Sequence, residues 1–197
     1  MLKVGVTGGI GAGKSTVCRV FETLGIPVFY ADDAAKFLMN SDAELRRLII
    51  QAFGEAAYQN ESLNNNYLGK LVFGNPGKLA QLNALTHPAV IRFGETWMTQ
   101  QSTPYALKEA AVFFESGSNK SMDLMIGVSA PLPLRIRRAM LRGDLSESQV
   151  LERVSKQMDE EEKMSLCDYR ILNDDAHSII EQVWNLHQEL LQKAKSY

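Results

Sequence analysis

Cysteine and histidine are scarce in this chain, which has two cysteines and three histidines in 197 residues. Cys18 and Cys167 are far apart in the sequence, and they lack the short spacing that metal-binding cysteines share. This scarcity argues against a metal site built on cysteine. It also predicts a reduced, cytoplasmic setting.

An excess of one charge sign and a long apolar run are also missing. The 21 basic and 23 acidic residues give a net charge of -2, which argues against broad nucleic-acid binding. No apolar stretch reaches the roughly 18 residues of a membrane span, and the first residues follow a strand-like pattern rather than that of a secretion signal. We therefore expect a soluble protein with neither nucleic-acid nor membrane partners, and no obligate protein partner is implied.

The start of the chain shows a βαβ pattern. Residues 2–7 are rich in valine and end at a glycine cluster, as expected for a buried parallel strand. Residues 15–24 favour a helix that is closed by Gly25. Residues 27–31 favour a second strand, which stops at Asp32.

The rest of the chain predicts a helical insertion followed by a return to the sheet. Apolar residues recur at helical spacing from residue 34 to about 101. Further strands are predicted at residues 110–114, ending at Glu115, at 123–128 and at 169–173. Helices are predicted after Pro133 as far as Gly143, after Ser146, after Asp159, and in a closing segment whose apolar side comprises Ile179, Ile180, Val183, Trp184, Leu186, Leu190 and Leu191.

The stretch "VGVTGGIGAGKSTV" carries the clearest chemical signal. Gly8, four intervening residues, Gly13, Lys14 and Ser15 have the full spacing of a phosphate-binding loop between a strand and a helix. Glycine allows successive N–H groups to turn towards an anion at the start of a helix. Lys14 is then expected to reach the β- and γ-phosphates of ATP, and the Ser15 hydroxyl to ligate Mg²⁺.

Three classes of nucleoside triphosphate-binding protein compete at this point. A GTPase needs an Asn-Lys-x-Asp sequence after a strand, whereas "NKSMD" at residues 119–123 has one residue too many and precedes its strand. A motor ATPase normally has a strand ending in Asp, and here "AVFFE" ends in Glu115. A small-molecule kinase fits better, with a nonenzymatic ATP-binding switch as the rival from another class.

Such a kinase needs a group that orients the acceptor hydroxyl and cations that neutralise the transferred phosphoryl group. Asp32 is expected at the same sheet edge as the loop, although it could instead cap the next helix, for which Asp33 is the better candidate. The arginine-rich helix before Gly143 could close over ATP as a lid, or it could be a solvated face. His87 precedes Pro88 and is therefore expected at a helix end.

Several separate segments resemble the dephospho-coenzyme A kinase family over nearly the whole chain. The matching segments are "VGVTGGIGAGKSTV", "LGIPVFYADDAAK", "LNALTHPAV", "AVFFE", "RRAMLRGDLSESQVLERVSKQM" and "CDYRILND". The resemblance implies transfer of the γ-phosphoryl group of ATP to the ribose 3'-hydroxyl of dephospho-coenzyme A, with Mg²⁺ required. A nucleoside or nucleotide kinase is the alternative within the same class.

The resemblance also implies an α/β fold in three parts. The first is a P-loop kinase core with a five-stranded parallel sheet flanked by helices, formed by residues 1–32, 106–134 and 166–197. The second is a helical coenzyme A-binding insert at 33–105, and the third is a small helical lid at 135–165.

The loop and the resemblance together assign the site residues. The expected catalytic residues are Asp32 as the base, Lys14, and the lid cations Arg138 and Arg142. The expected ATP-binding residues are Gly9, Gly11, Ala12, Gly13, Lys14, Ser15, Thr16, Arg142 and Asn173, with Ser15 as the metal ligand. The expected acceptor-binding residues are Thr7, Asp32, His87 and Glu115.

Three departures from the family pattern fall near the expected acceptor site. Tyr30 stands where aspartate is common, Ala111 replaces a usual proline, and residues 116–118 replace a more apolar loop. The absence of a second carboxylate at residue 30 leaves Ser15 and water as the expected magnesium ligands.

Overall fold

The computed structural model describes residues 1–143 and 145–196. It divides the chain into two units, one formed by Met1–Tyr30 with the chain from Gln100 onward, and one formed by Ala31–Thr99. The second unit therefore begins and ends earlier than the predicted insert at 33–105. Asp32, which the sequence predicts within the core, is part of this second unit.

Helices account for more of the chain than strands do. The strands are β1 (Leu2–Thr7), β2 (Val28–Tyr30), β3 (Tyr58–Gln59), β4 (Ser62–Leu63), β5 (Tyr105–Glu109), β6 (Leu124–Ser129) and β7 (Tyr169–Leu172). The helices are α1 (Lys14–Thr23), α2 (Ala31–Ser41), α3 (Ala43–Phe53), α4 (Asn65–Val72), α5 (Pro76–Thr99), α6 (Phe113–Ser116), α7 (Leu132–Gly143), α8 (Glu147–Ser155), α9 (Glu160–Ser165) and α10 (Ile179–Ala194).

The first unit is built on a parallel sheet with the strand order β2-β5-β1-β6-β7. β1 lies at the centre, where Val4 and Val6 are fully buried. The apolar faces of α1 and α10 pack in the same core, through residues such as Phe21 and Val183. The predicted five-stranded parallel sheet is confirmed, and its carboxyl edge is where ligands bind in folds of this kind.

The strand predicted at residues 110–114 is wrong. The strand is β5, and Phe113 belongs instead to the short helix α6. Sequence reasoning missed β5 because it carries Lys108 and Glu109, which are only 3% and 7% exposed. The Lys108 ammonium lies 5.9 Å from the ring centres of both Phe29 and Phe113. A charged residue is therefore buried at a position where the pattern of a buried strand predicts an apolar residue.

The buried face of α10 also differs from the prediction. Ile180 and Trp184 are exposed, and they do not line the core. The buried residues are Val183, Leu186, His187 and Leu190, which follow helical spacing. His187 is accommodated there because its Nδ1 shares a 2.6 Å hydrogen bond with the hydroxyl of Tyr105.

The second unit comprises α2 to α5 and the antiparallel hairpin of β3 and β4. α5 continues through Pro88, so the predicted helix end at His87 is wrong. Buried residues on both sides of this proline, Thr86 and Ala89, keep the helix packed. α2 begins at Ala31, and Asp33 therefore lies inside its first turn rather than at the predicted cap position.

The helices differ widely in length, from the four residues of α6 to the 24 residues of α5. None of those in residues 1–143 and 145–196 is both long and apolar enough to cross a membrane.

Candidate active site

The phosphate loop connects β1 to α1, as its spacing predicts. Gly13 occupies the N-cap position of α1 with φ 92°, and Gly11 has φ 75°. These left-handed conformations are strained for residues with a Cβ atom. Within the described part of the chain, no side chain caps the start of α1, which leaves this helix end suited to an anion.

The glycines of the loop also lie too close to their neighbours for a side chain. A Cβ atom at Gly11 would collide with the backbone oxygen of Arg135, and one at Gly13 would collide with Nδ2 of Asn173. The loop is therefore packed tightly against α7 and against the residue that follows β7. This packing fixes the backbone that would surround the phosphates.

Lys14 lies back over the start of the loop. Its Nζ donates a 3.0 Å hydrogen bond to the Gly8 carbonyl and lies 3.7 Å from Oε1 of Glu109. Val6 of β1 pairs with Glu109 at the end of β5, so the sheet register brings this carboxylate to the loop. Sequence reasoning missed Glu109, although an acidic residue ending a strand beside the loop is the signal that identifies it.

The three arginines on α7 that share one face by spacing lie in three different environments. Arg135 is only 4% exposed, and it donates through Nε to the Ile10 carbonyl at 3.1 Å and through Nη1 to Glu160 at 2.8 Å. Arg138 is partly exposed and contacts the residues after β7. Arg142 is exposed in the last turn of α7. The sequence singled out Arg138 and Arg142, but Arg135 is the arginine that contacts the loop.

Asn173 connects the end of β7 to the phosphate loop. It is buried, and its Nδ2 donates to the Ala12 carbonyl at 2.8 Å. Arg138 donates to its backbone oxygen at 2.9 Å and to its Oδ1 at 3.1 Å, and also bonds Asp175. Asn173 therefore lies beside the loop, and both polar atoms of its side chain are bonded within the protein.

Glu115 lies on α6 instead of at the predicted strand end. Its Oε1 accepts hydrogen bonds from Nζ of Lys163 at 3.0 Å and from the backbone N–H of Met158 at 2.9 Å. Lys163 is fully buried and also donates to the Ala111 carbonyl at 3.0 Å. Burial acts to raise the pKa of Glu115, but these hydrogen bonds outweigh it and hold the pKa below its ordinary value.

Thr7, Asp32 and His87 complete the predicted acceptor set. Thr7 is buried at the end of β1, and its hydroxyl lies 3.4 Å from the Ala111 carbonyl. Asp32 is exposed in the first turn of α2, and His87 is half-buried on α5. Burial lowers the pKa of His87, which favours the neutral imidazole. The first unit thus brings together the loop, Lys14 and Thr7, while Asp32 and His87 belong to the second unit.

Ser15 lies in the first turn of α1 and is the candidate protein ligand for Mg²⁺. In residues 1–143 and 145–196, no group of three or more His, Cys, Asp or Glu side chains could hold a metal ion. Mg²⁺ is commonly bound by one or two protein oxygens together with substrate phosphates and water. The Ser15 hydroxyl at the phosphate loop fits that type of site.

Comparison with known proteins gives consistent results over nearly the full length. The family model described as dephospho-CoA kinase matches residues 2–178. The chain is 40% identical over 178 residues to the dephospho-CoA kinase of Salinibacter ruber, covering 88% of this chain and 89% of that protein. It is 33% identical over 193 residues to that of Bacteroides fragilis, covering 98% and 94%.

Solved structures agree with these sequence matches. A Thermus thermophilus protein of known crystal structure superposes with a TM-score of 0.81 at 32% identity, covering 95% of this chain and 96% of that one. The dephospho-CoA kinase from Campylobacter jejuni superposes with a TM-score of 0.70 at 26% identity, covering 97% and 98%. A shikimate kinase at 14% identity and a TM-score of 0.52 shares the fold alone.

Proposed function

Since the chain belongs to the dephospho-CoA kinase family, we propose that its phosphate loop holds ATP while Asp32 activates the acceptor hydroxyl. The reaction transfers the γ-phosphoryl group of ATP to the 3'-hydroxyl of dephospho-coenzyme A, giving coenzyme A and ADP. The observation that carries the proposal is the position of the Lys14 ammonium, 3.0 Å from the Gly8 carbonyl at the start of a glycine loop.

ATP binding is assigned to the loop and the residues around it. The backbone N–H groups of the loop and the start of α1 stabilise the phosphates, with contributions from Gly9, Gly11, Ala12, Gly13, Lys14, Ser15 and Thr16. Asn173 is proposed to contact the adenine of ATP, and Arg138, which bonds Asn173, is proposed as a cation of the lid. Arg142 is exposed at the end of α7 and supplies a further cation to the phosphates.

The acceptor side is assigned to Asp32, His87 and Thr7. Asp32 follows β2 by two residues, and its carboxylate takes the proton of the acceptor hydroxyl. His87 is proposed to contribute a hydrogen bond to the acceptor. Glu115 is predicted in this group by the sequence, and its contacts with Lys163 and Met158 support a positioning role instead.

The metal and the cellular setting are also proposed. The Ser15 hydroxyl is the proposed protein ligand of Mg²⁺, which, when bound together with the phosphates, would neutralise charge on the transferred phosphoryl group. Residues 135–165, which include α8 and α9, form the proposed lid, and Ala31–Thr99 forms the proposed coenzyme A-binding unit. The expected location is the cytoplasm.

Substitution of Asp32 tests the catalytic assignment. Asp32→Asn keeps the shape of the side chain but cannot accept the proton, so we expect turnover to fall by roughly a hundredfold or more, while ATP affinity stays unchanged. Asp33→Asn is the matched control, because Asp33 is an exposed carboxylate on the same turn, paired with Lys36. Asp32 is not the base if both variants turn over at the wild-type rate, and a loss of ATP affinity in Asp32→Asn would mean that this residue serves the nucleotide.

A further inference from the structure

Gln157 contacts the phosphate loop from the segment between α8 and α9. Its Oε1 accepts a 3.0 Å hydrogen bond from the backbone N–H of Ile10, a residue 147 positions away in the sequence. The other side of Ile10 is held by Arg135, which donates to its carbonyl at 3.1 Å. The backbone of Ile10 is thus fixed by two side chains from the α7–α9 region.

This contact determines the orientation of the Gln157 carboxamide. An N–H group can donate only to the oxygen of the amide, so Oε1 faces Ile10 and Nε2 is the remaining polar atom. Nε2 carries two hydrogens, and among the described residues it has no hydrogen-bond acceptor. Gln157 is partly exposed, and its amide hydrogens are therefore available to a ligand at the loop.

In a loop of this type, Ile10 is expected near the terminal phosphate. Lys14 is the residue that reaches the β- and γ-phosphates in loops of this type, and its Nζ bonds the carbonyl of Gly8. Gly8 is two residues before Ile10, whereas the N-terminus of α1, which binds the inner phosphates, follows Gly13. In the proposed ATP site, the carboxamide of Gln157 is therefore expected at the γ-phosphate end.

Contacts made by the residues that follow Gln157 hold it in this position. The neighbouring Met158 donates its backbone N–H to Glu115, which is also paired with the buried Lys163. Glu160 at the start of α9 is paired with Arg135 at 2.8 Å. These contacts fix the segment that carries Gln157 before any nucleotide binds, which is the preorganisation that electrostatic stabilisation of a reacting group requires.

We propose that Gln157 is a further residue of the phosphoryl-transfer site, which donates from Nε2 to the γ-phosphoryl group of ATP while its Oε1 remains on Ile10. Arg135 is held in a different way, because it is buried and its Nε and Nη1 are already bonded to Ile10 and Glu160. The inference rests on the proposed ATP site, and it adds a residue that distinguishes ATP from ADP.

Calorimetry with two nucleotides tests this inference. ADP and the β,γ-imido analogue of ATP are titrated, with Mg²⁺, into the wild-type protein and into Gln157→Ala and Gln157→Glu. A hydrogen bond to a charged group predicts that Gln157→Ala binds the ATP analogue roughly tenfold more weakly, with ADP affinity unchanged. Gln157→Glu still accepts from Ile10 but places a negative charge at the phosphate, so it should bind the analogue more weakly than Gln157→Ala does.

The exposed Gln188 on α10 provides the matched controls, Gln188→Ala and Gln188→Glu, which should bind both nucleotides as the wild type does. Equal weakening of ADP and the ATP analogue in Gln157→Ala would overturn the inference, because it would show that Gln157 only shapes the loop. Unchanged affinity for both nucleotides would overturn it as well. Failure of the wild-type protein to bind either nucleotide would instead refute the proposed ATP site itself.

Discussion

The phosphate loop and the arginine-rich helix α7 both stand out in the sequence, yet they differ in how far their local pattern determines their structure. The loop contains the expected turn, with Gly11 and Gly13 in left-handed conformations and Lys14 directed to its start. Three of the four arginines of α7 share one face by their spacing, yet Arg135 is buried, Arg138 is bonded to Asn173 and Arg142 is exposed.

The difference shows what kind of information local sequence carries. A glycine loop is defined by backbone conformation and by the strand and helix beside it, all within about ten residues. The environment of an arginine depends on groups distant in sequence, such as Ile10 and Glu160 for Arg135. Backbone motifs can therefore be predicted locally, while the partners of long side chains require the fold.

The largest effect is expected when a side chain is added to the loop itself. Gly11→Ala combines a left-handed φ with a clash against the backbone of Arg135, so we expect ATP binding to be lost. Gly25→Ala is the control, since Gly25 has φ 80° but no heavy atom within 4 Å of the added Cβ. Gly25→Ala should cost only about 1–2 kcal/mol in the free energy of unfolding, as measured by urea denaturation, and should leave ATP binding unchanged. If both variants bind nucleotide with equal affinity, the close packing of Gly11 against Arg135 is not required for ATP binding.

The next largest effect is expected in the segment that α7 helps to hold. Lys163→Met breaks a buried ion pair and leaves Glu115 without its cation, which should lower the free energy of unfolding by about 3 kcal/mol. Lys156→Met removes a partly exposed pair with Glu152 on α8 and should change it by less than about 1 kcal/mol. Urea denaturation of both variants measures the difference. Similar losses in the free energy of unfolding would show that burial does not make the Lys163–Glu115 ion pair stronger than the exposed one.

Replacement of two arginines of α7 by alanine should have smaller effects on stability, and the two effects should differ. Arg138→Ala loses hydrogen bonds to Asn173 and the ion pair with Asp175, so we expect a loss of about 1–2 kcal/mol in the free energy of unfolding. Arg142→Ala should leave thermal stability unchanged and lower only the turnover rate. The comparison fails if Arg142→Ala destabilises the protein as much as Arg138→Ala.

The smallest effect is a pH dependence at Glu115. Because its folded-state pKa lies below the ordinary value of 4.5, the carboxylate stabilises the fold above about pH 4.5, and this contribution is lost as the pH falls through the folded-state pKa. The difference in free energy of unfolding between the wild type and Glu115→Gln should therefore be constant near neutral pH and shrink in acid. A difference that grows as the pH falls would contradict the assignment.

The fold was predictable from the sequence where burial and periodicity agree. β1, β6 and β7 lie within one residue of their predicted positions, and Ser146 and Asp159 cap α8 and α9 as their spacing indicates. β5 was misplaced because the buried Lys108 and Glu109 break the apolar pattern.

The same limit applies to the candidate site. The sequence and the family resemblance predict the loop residues, Asn173 and Arg138 as site residues, and the structure places Asn173 against the loop. Glu109 and Gln157 could not, because their relation to the loop depends on strand register in one case and on a contact across 147 residues in the other.

The central claim is that this chain phosphorylates dephospho-coenzyme A, and the formation of its products tests this most directly. The purified protein is assayed with ATP and Mg²⁺ for ADP release in the presence of dephospho-coenzyme A, adenosine, nucleoside monophosphates or no acceptor. The account predicts that ADP release depends on dephospho-coenzyme A and that coenzyme A forms in equal amount. ADP release with another acceptor and none with dephospho-coenzyme A would contradict it, and so would the absence of release with every acceptor.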